Sequence, residues 1–244
     1  MEWREQDGVR WLEAVLPRAR AAFSTRVGGV SAAPYDELNV AIMTGDDRER
    51  VRENRHRLAA ALGRDPEGVV MGRQVHGAAL REHRTGQEPR VYSEVERSPE
   101  EVDAHSTPNA ELTPLVMVAD CLPVAMAGRG GVAMAHCGWR GLAAGIVEKA
   151  STSVEATAAA IGPGIGPCCY EVGREVLAEF DDLDGVAEGR MLDLTAVARS
   201  LLSKAGVTEI ESADLCTKCN PELFYSHRRD GERTGRQAGL AWID

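Results

Sequence analysis

Cys121, His136 and His76 are residues that ligate metals or attack carbonyl carbon, and each lies where an apolar run gives way to a turn. Cys121 follows the run Leu115 to Ala119, and His136 ends the run Val132 to Ala135. Between them lies Gly128-Arg129-Gly130-Gly131, a hairpin signal whose span includes the midpoint of Cys121 and His136. Two runs pairing about that cluster would bring the thiol and the imidazole to one spot. Pro123 weakens strict pairing and predicts a bulge or an edge position there. Trp139-Arg140-Gly141-Leu142 then opens a helix with an apolar face of Trp139, Leu142, Ala143, Ile146 and Val147, continued from Gly145 to Val154. A thiol, an imidazole and a helix start together suit a metal, an activated thiol or an anion.

A metal needs three or four ligands. His76 is the best third, because Gln74-Val75-His76-Gly77 ends a predicted strand from Val69 to Val75. A His-Cys-His set with an open fourth position is the arrangement of catalytic zinc. Taken singly, a buried cysteine is a common small hydrophobe. His56 reads as a surface histidine, and His83 and His105 as incidental. A multicopper centre fails on counting, since the chain has six histidines and no His-X-His pair, and blue copper alone takes two His and a Cys. The zinc-deaminase pattern is absent too. Cys216-Thr-Lys-Cys219 reads as two packed thiols near a turn, because no second Cys-X-X-Cys completes a zinc knuckle, and vicinal Cys168-Cys169 is an equally weak signal. Arg26 beside Gly28-Gly29 reads as an anion contact or as a solvated side chain on a glycine turn. Arg228, Arg229 and Arg236, set among aromatics and glycines, suit a phosphate or a carboxylate.

The positioning elements follow from patterning. Val9 to Leu16 and Arg20 to Thr25 read as strands broken at Pro17. Thr44-Gly-Asp-Asp47 reads as a capping-box-like start of a helix that runs to Leu62 and stops at Gly63, with Val51, Leu58, Ala59 and Leu62 inward and charges outward. Arg81 to Ser106, with Pro89 and Pro99, reads as a polar surface hairpin or loop, and Val102-Asp103-Ala104 returns to the core. Ala158 to Ile161 is a strand entering the rigid loop Gly162 to Pro167. A helix follows at about Arg174 to Phe180, and Asp193 caps another from Leu194 to Lys204, ended by Gly206.

The 244 residues are 43% apolar, enough for a real core, and carry a net charge of −10. That charge argues against nucleic acid or an anionic membrane as partner. No apolar run reaches the ~18 residues of a spanning helix, and the N-terminal stretch lacks the features of a secretory signal. The expectation is a cytoplasmic protein with its six cysteines mostly reduced. With no internal repeat or linker, a single domain over residues 1–244 is expected, and the oligomeric state is left open.

Five ordered motifs then resemble one family: Gln74-Val-His-Gly, Ala119-Asp-Cys-Leu-Pro, His136-x-Gly-Trp-Arg-Gly, Gly162-Pro-x-Ile-Gly-Pro-Cys-Cys-Tyr-Glu-Val and Ser226-His-Arg-Arg-Asp. They resemble the polyphenol-oxidase or laccase-domain family, also called the purine nucleoside phosphorylase or peptidoglycan-editing-factor family, over about Phe23 to Ile243. The resemblance implies a mixed α/β fold, β-sheets flanked by helices. It implies a zinc site of His76, Cys121 and His136, with copper disfavoured by the histidine count. It also implies phosphorolysis of adenosine, inosine, guanosine and methylthioadenosine, and deamination of adenosine. Some bacterial members are tied to cell-wall quality control, removing misincorporated serine from a muramoyl precursor. The chain departs from the pattern at Cys137, Gly164, His105 and Ala198, and Cys137 adds a thiol beside the site.

The mechanism expected on that basis has zinc acidifying water toward a pKa of ~7 for attack at purine C6. Phosphate for attack at the ribose would be held by Arg26, Arg140, Arg228 or Arg229. Asp120 or Gln74 would orient ligands from behind. Two other classes compete: a metal-free cysteine amidohydrolase with Cys121 as nucleophile and His136 as base, and a redox-partner or binding protein using Cys216 and Cys219.

Overall fold

The computed structural model describes residues 1–84, 91–94 and 99–244. In chain order the strands begin with β1 (Glu2–Gln6), β2 (Val9–Leu16) and β3 (Ala19–Ser24). Helix α1 (Arg48–Ala61) separates these from β4 (Val69–Val70), β5 (Leu80–Glu82), β6 (Ala104–Thr107), β7 (Thr113–Val118), β8 (Leu122–Gly128) and β9 (Gly131–Cys137). Next come α2 (Trp139–Ala143), α3 (Ile146–Val154), β10 (Ala156–Ile161), α4 (Arg174–Leu177), the short pair β11 (Ala187–Glu188) and β12 (Met191–Leu192), and α5 (Leu194–Lys204). The chain closes with β13 (Glu209–Ser212), α6 (His227–Asp230) and β14 (Gln237–Ile243).

Two six-stranded mixed sheets result, in the orders β1-β2-β3-β14-β7-β4 and β13-β10-β8-β9-β6-β5. Alternation along each strand explains why they stack. On β8, Val124 and Met126 join the core beneath α3 and α5, while Ala125 and Ala127 face the other way into a core shared with Phe23, Val116 and Ala241 of the first sheet. On β3, Ala22 turns to the α1 side with Leu58 and Trp242, and Phe23 turns inward. The layers therefore run helix, sheet, sheet, helix, a single α/β domain of mixed sheets flanked by helices, as the resemblance implied. Among the described residues no helix is long and apolar enough to cross a membrane.

The patterning located β2, β3, β10 and α5 well, and Asp193 caps α5 by accepting from the Ala196 N–H at 3.0 Å. Other expectations need correction. The hairpin partner of β9 is β8 rather than the run Leu115 to Ala119, which forms β7 in the opposite sheet. Leu122 pairs with Cys137, Pro123 with His136 and Gly128 with Gly131, so the turn is Arg129-Gly130. Pro123 sits in that unbroken register, in a strand flanked on both sides, with no bulge. It lies one step past the last β10 pair, Ile161 with Val124, where its carbonyl still accepts from the Gly162 N–H at 2.8 Å and only its own N–H is missing.

Asp47 is the cap of α1, accepting from Glu49 and Arg50 N–H groups, while Thr44 ends a preceding 3-10 turn. The face of α1 is not purely apolar, because Arg55 is buried and donates to the carbonyls of Val40, Val91 and Tyr92. The helix expected from Trp139 to Val154 is two helices broken at Gly145, whose φ of 82° ends the first, and Ala143 is exposed. The strand expected to Val75 stops at Val70. Between Arg81 and Ser106 the chain contributes β5 and β6 and buries Tyr92; Pro89 lies outside the described residues.

Candidate metal centre

The side-chain ligand atoms of His76, Cys121 and His136 all lie within 4.8 Å of one another. The three come from separate parts of the chain. Cys121 lies in the crossover between β7 and β8, His136 is the penultimate residue of β9, and His76 stands in the loop between β4 and β5. His76 has φ of 60°, a left-handed conformation costly for a side-chain-bearing residue. The cause is visible. Three successive backbone N–H groups, of Val75, His76 and Gly77, donate to the Asp103 carboxylate at 3.1, 2.9 and 2.8 Å.

Asp103 also accepts from His136 Nδ1 at 2.8 Å. One buried carboxylate thus fixes the loop that carries His76 and the ring plane of His136, and leaves His136 Nε2 for the site. The donors outweigh burial, which alone would raise its pKa, and Asp103 is held below the usual carboxylate range. Burial opposes the charged forms of Cys121 and His136 as well. The thiolate and imidazolium nonetheless stabilise each other, bringing the Cys121 thiol down to about 6 and His136 up to about 9.

Gly138 completes the packing. A Cβ there would meet Cys121 Sγ at 2.9 Å and His76 Cδ2 at 3.2 Å, so only a bare backbone lets these two side chains approach. Its φ of −81° suits any residue, so the constraint is space alone. Gly138→Ala is expected to weaken metal affinity by at least ~10-fold while leaving the fold intact. A competition titration with a chromogenic chelator measures this, and an unchanged affinity would show that the ligands do not need that gap.

Sequence reasoning missed Asp103, although its signal was there: an acid flanked by Val102 and Ala104 in a segment returning to the core. Gln74 and Asp120 bond elsewhere. Gln74 exchanges two hydrogen bonds with the Met117 backbone at 2.7 and 2.8 Å, docking the His76 loop onto β7. Asp120 accepts from Thr217 Oγ1 at 2.7 Å and from the Arg228 N–H at 2.6 Å, anchoring the C-terminal segment beside Cys121.

The arginines divide into two groups. Arg26 is spent on the Asp36 carbonyl and carboxylate and the Pro221 carbonyl. Arg229 is spent on Asp230 and the carbonyls of Thr217, Lys218 and Phe224. Arg140 and Arg228 are exposed, and their charges, with those of Cys121 and Asp120, act on the half-buried phenol of Tyr170. Arg228 lies 5.1 Å over that ring. Arg236, more buried, senses Asp120 and Cys121. Cys137 is not beside the site, because alternation along β9 turns it into the core with Leu142 and Ile146, where burial pushes its thiol up. Nor are His83 and His105 incidental: both are buried, with His83 Nε2 3.0 Å from His105 Nδ1.

The profile of the family described as "Multi-copper polyphenol oxidoreductase laccase" matches residues 20–244. The purine nucleoside phosphorylase YfiH of Escherichia coli (strain K12) is 40% identical over 237 residues, covering 91% of this chain and 93% of that protein. Among solved structures, the hypothetical protein YfiH of Bacillus licheniformis superposes with a TM-score of 0.88 at 28% identity, over 99% of both chains. Neisseria meningitidis NMB0706, described as family-model DUF152, superposes with a TM-score of 0.81 at 32% identity, over 96% of this chain and 99% of its own. The polyphenol-oxidase and laccase part of the resemblance is corrected by these relatives, whose fold and sequence are of the YfiH/DUF152 kind. The physical reason agrees: two of the six histidines, His76 and His136, join the one His-Cys-His set found among the described residues, two form the buried His83–His105 pair, and His56 and His227 are exposed.

Proposed function

The chain belongs to the YfiH/DUF152 purine-nucleoside-phosphorylase-like family, and from that membership we propose that it is a zinc-dependent purine nucleoside phosphorylase that also deaminates adenosine. The observation that carries the reading is the convergence of His76, Cys121 and His136 within 4.8 Å, backed by Asp103. Two imidazoles and one thiolate, one ring locked through Nδ1, are a donor set that suits zinc. Zinc, when bound, supplies Lewis acidity that activates water near neutral pH.

The protein's own residues do the rest. Asp103 keeps the proton on His136 Nδ1 and Nε2 directed at the site. Arg140 and Arg228 supply positive charge for phosphate, since Arg228 gives up one donor, to the Glu171 carbonyl at 3.1 Å, where Arg26 and Arg229 each give up several. Tyr170, under Arg228, forms an aromatic wall against which a purine can stack. Adenosine given to the zinc-replete protein should yield adenine and ribose 1-phosphate only when phosphate is present, and inosine with or without it. Chromatography reads both, and zinc-replete protein giving neither product would remove the proposal.

One observation favours a second reading. Asp103, His136 and Cys121 stand in the order of an acid, a base and an activated thiol. In that case the chain cleaves an amide without metal, for example on a seryl-muramoyl nucleotide. Inactivation by iodoacetamide with no effect of chelators distinguishes it from the first.

A further inference from the structure

Cys168, Cys169, Cys216 and Cys219 lie outside the His-Cys-His centre, yet their four sulfurs also gather within 4.8 Å. The fold does the gathering. Strands β10 and β13 run parallel and adjacent, and the chains leaving them stay paired through a bridge between Gly164 and Cys216. The Thr217 N–H donates to the Gly164 carbonyl at 2.9 Å, the Cys169 N–H to the Gly166 carbonyl at 3.0 Å, and Asn220 Nδ2 closes the second loop on the Cys216 carbonyl at 2.8 Å. Two short loops thus present two thiols each.

The spacing fits a four-coordinate metal. Cys219 Sγ lies 3.6 Å from Cys168 Sγ and 3.4 Å from Cys169 Sγ. A zinc tetrathiolate with bonds of ~2.3 Å has sulfur–sulfur edges of ~3.8 Å, whereas a disulfide needs ~2.05 Å. All four are free thiols. At Gly166 a Cβ would lie 3.4 Å from Cys168 Sγ and 3.2 Å from Cys216 Cβ, so glycine allows the close wrap.

We propose that Cys168, Cys169, Cys216 and Cys219 form a second metal site, a structural zinc tetrathiolate that clips the loop after β10 to the loop after β13. It is separate from the purine reading and stands or falls alone. The clip has a direct consequence. Thr217, inside the Cys216–Cys219 loop, donates to Asp120, which precedes Cys121 and receives the Arg228 N–H. Fixing the loop therefore fixes the arginine-bearing segment next to the first centre.

The test counts metal on the full chain purified under reductant with zinc. Cys121→Ser, which dismantles the first centre, should retain about one zinc per chain, and adding Cys216→Ser and Cys219→Ser should remove it. Wild-type protein should hold about twice the zinc of Cys121→Ser. That comparison tests the first centre, so the two proposals fail separately. Cobalt loaded into Cys121→Ser avoids any folding defect of the serine variants. It should give the intense visible bands and the near-ultraviolet charge transfer of a four-sulfur tetrahedral ion. A Cys121→Ser chain that is folded but holds no zinc and shows no such bands would overturn the site. So would a zinc count that the two serines leave unchanged, or a mass deficit marking a disulfide among the four.

Discussion

Replacing Cys121 with alanine is expected to abolish metal binding at the centre of His76, Cys121 and His136, lowering the zinc content by about one per chain, and to abolish turnover of adenosine with it. The thiolate is the one anionic ligand in the set, and without it two imidazoles remain, one of them tied to Asp103. Two neutral nitrogens hold zinc far more weakly than a set completed by a thiolate. The loss should appear in kcat rather than in KM alone, because the ligand set acts on the reacting groups and not on remote parts of the nucleoside. The fold should survive, since Cys121 lies between β7 and β8 and is only half-buried. Metal content, far-ultraviolet circular dichroism and steady-state rates on one preparation decide the matter. A well-folded variant with full activity would remove Cys121 from the chemistry.

Asp103→Asn should cost both stability and metal. The carboxylate takes three backbone N–H groups and one imidazole N–H while fully buried. Asparagine has the same shape but turns an N–H group toward at least one of those donors and removes the charge they share. Leaving such groups unsatisfied in a buried site costs ~3 kcal/mol, which for a chain of this size lowers Tm by roughly 10 °C. Metal affinity should fall by ~10–100-fold, the usual consequence of losing a carboxylate behind a ligating histidine. Thermal melts with and without zinc separate the two effects. If both the apo melt and the zinc affinity match wild type, the carboxylate is not what holds the His76 loop.

Some of this was legible in residue types and spacing, and some was not. Cys121 and His136 stand at the ends of apolar runs because strands deliver them, so local patterning found them, and the glycine after His76 marked the third. The hairpin partner was misjudged because two apolar runs, Leu115 to Val118 and Leu122 to Ala127, lie close together in sequence. Choosing between them depends on which sheet each joins. Arg26 and Arg229 carry the same charge as Arg140 and Arg228, and only the carbonyls that surround them reveal that they are spent. The cysteine tetrad was illegible for a topological reason: its halves are about fifty residues apart and meet through the parallel pairing of β10 with β13. Asp103 works through backbone amides of a distant loop, and no local spacing encodes that.

The most direct test of the central claim is anomalous diffraction at the zinc edge from crystals of the zinc-replete chain. A peak enclosed by His76 Nε2 or Nδ1, Cys121 Sγ and His136 Nε2 is the predicted result. No peak there, in crystals of a preparation that still converts adenosine, would contradict it.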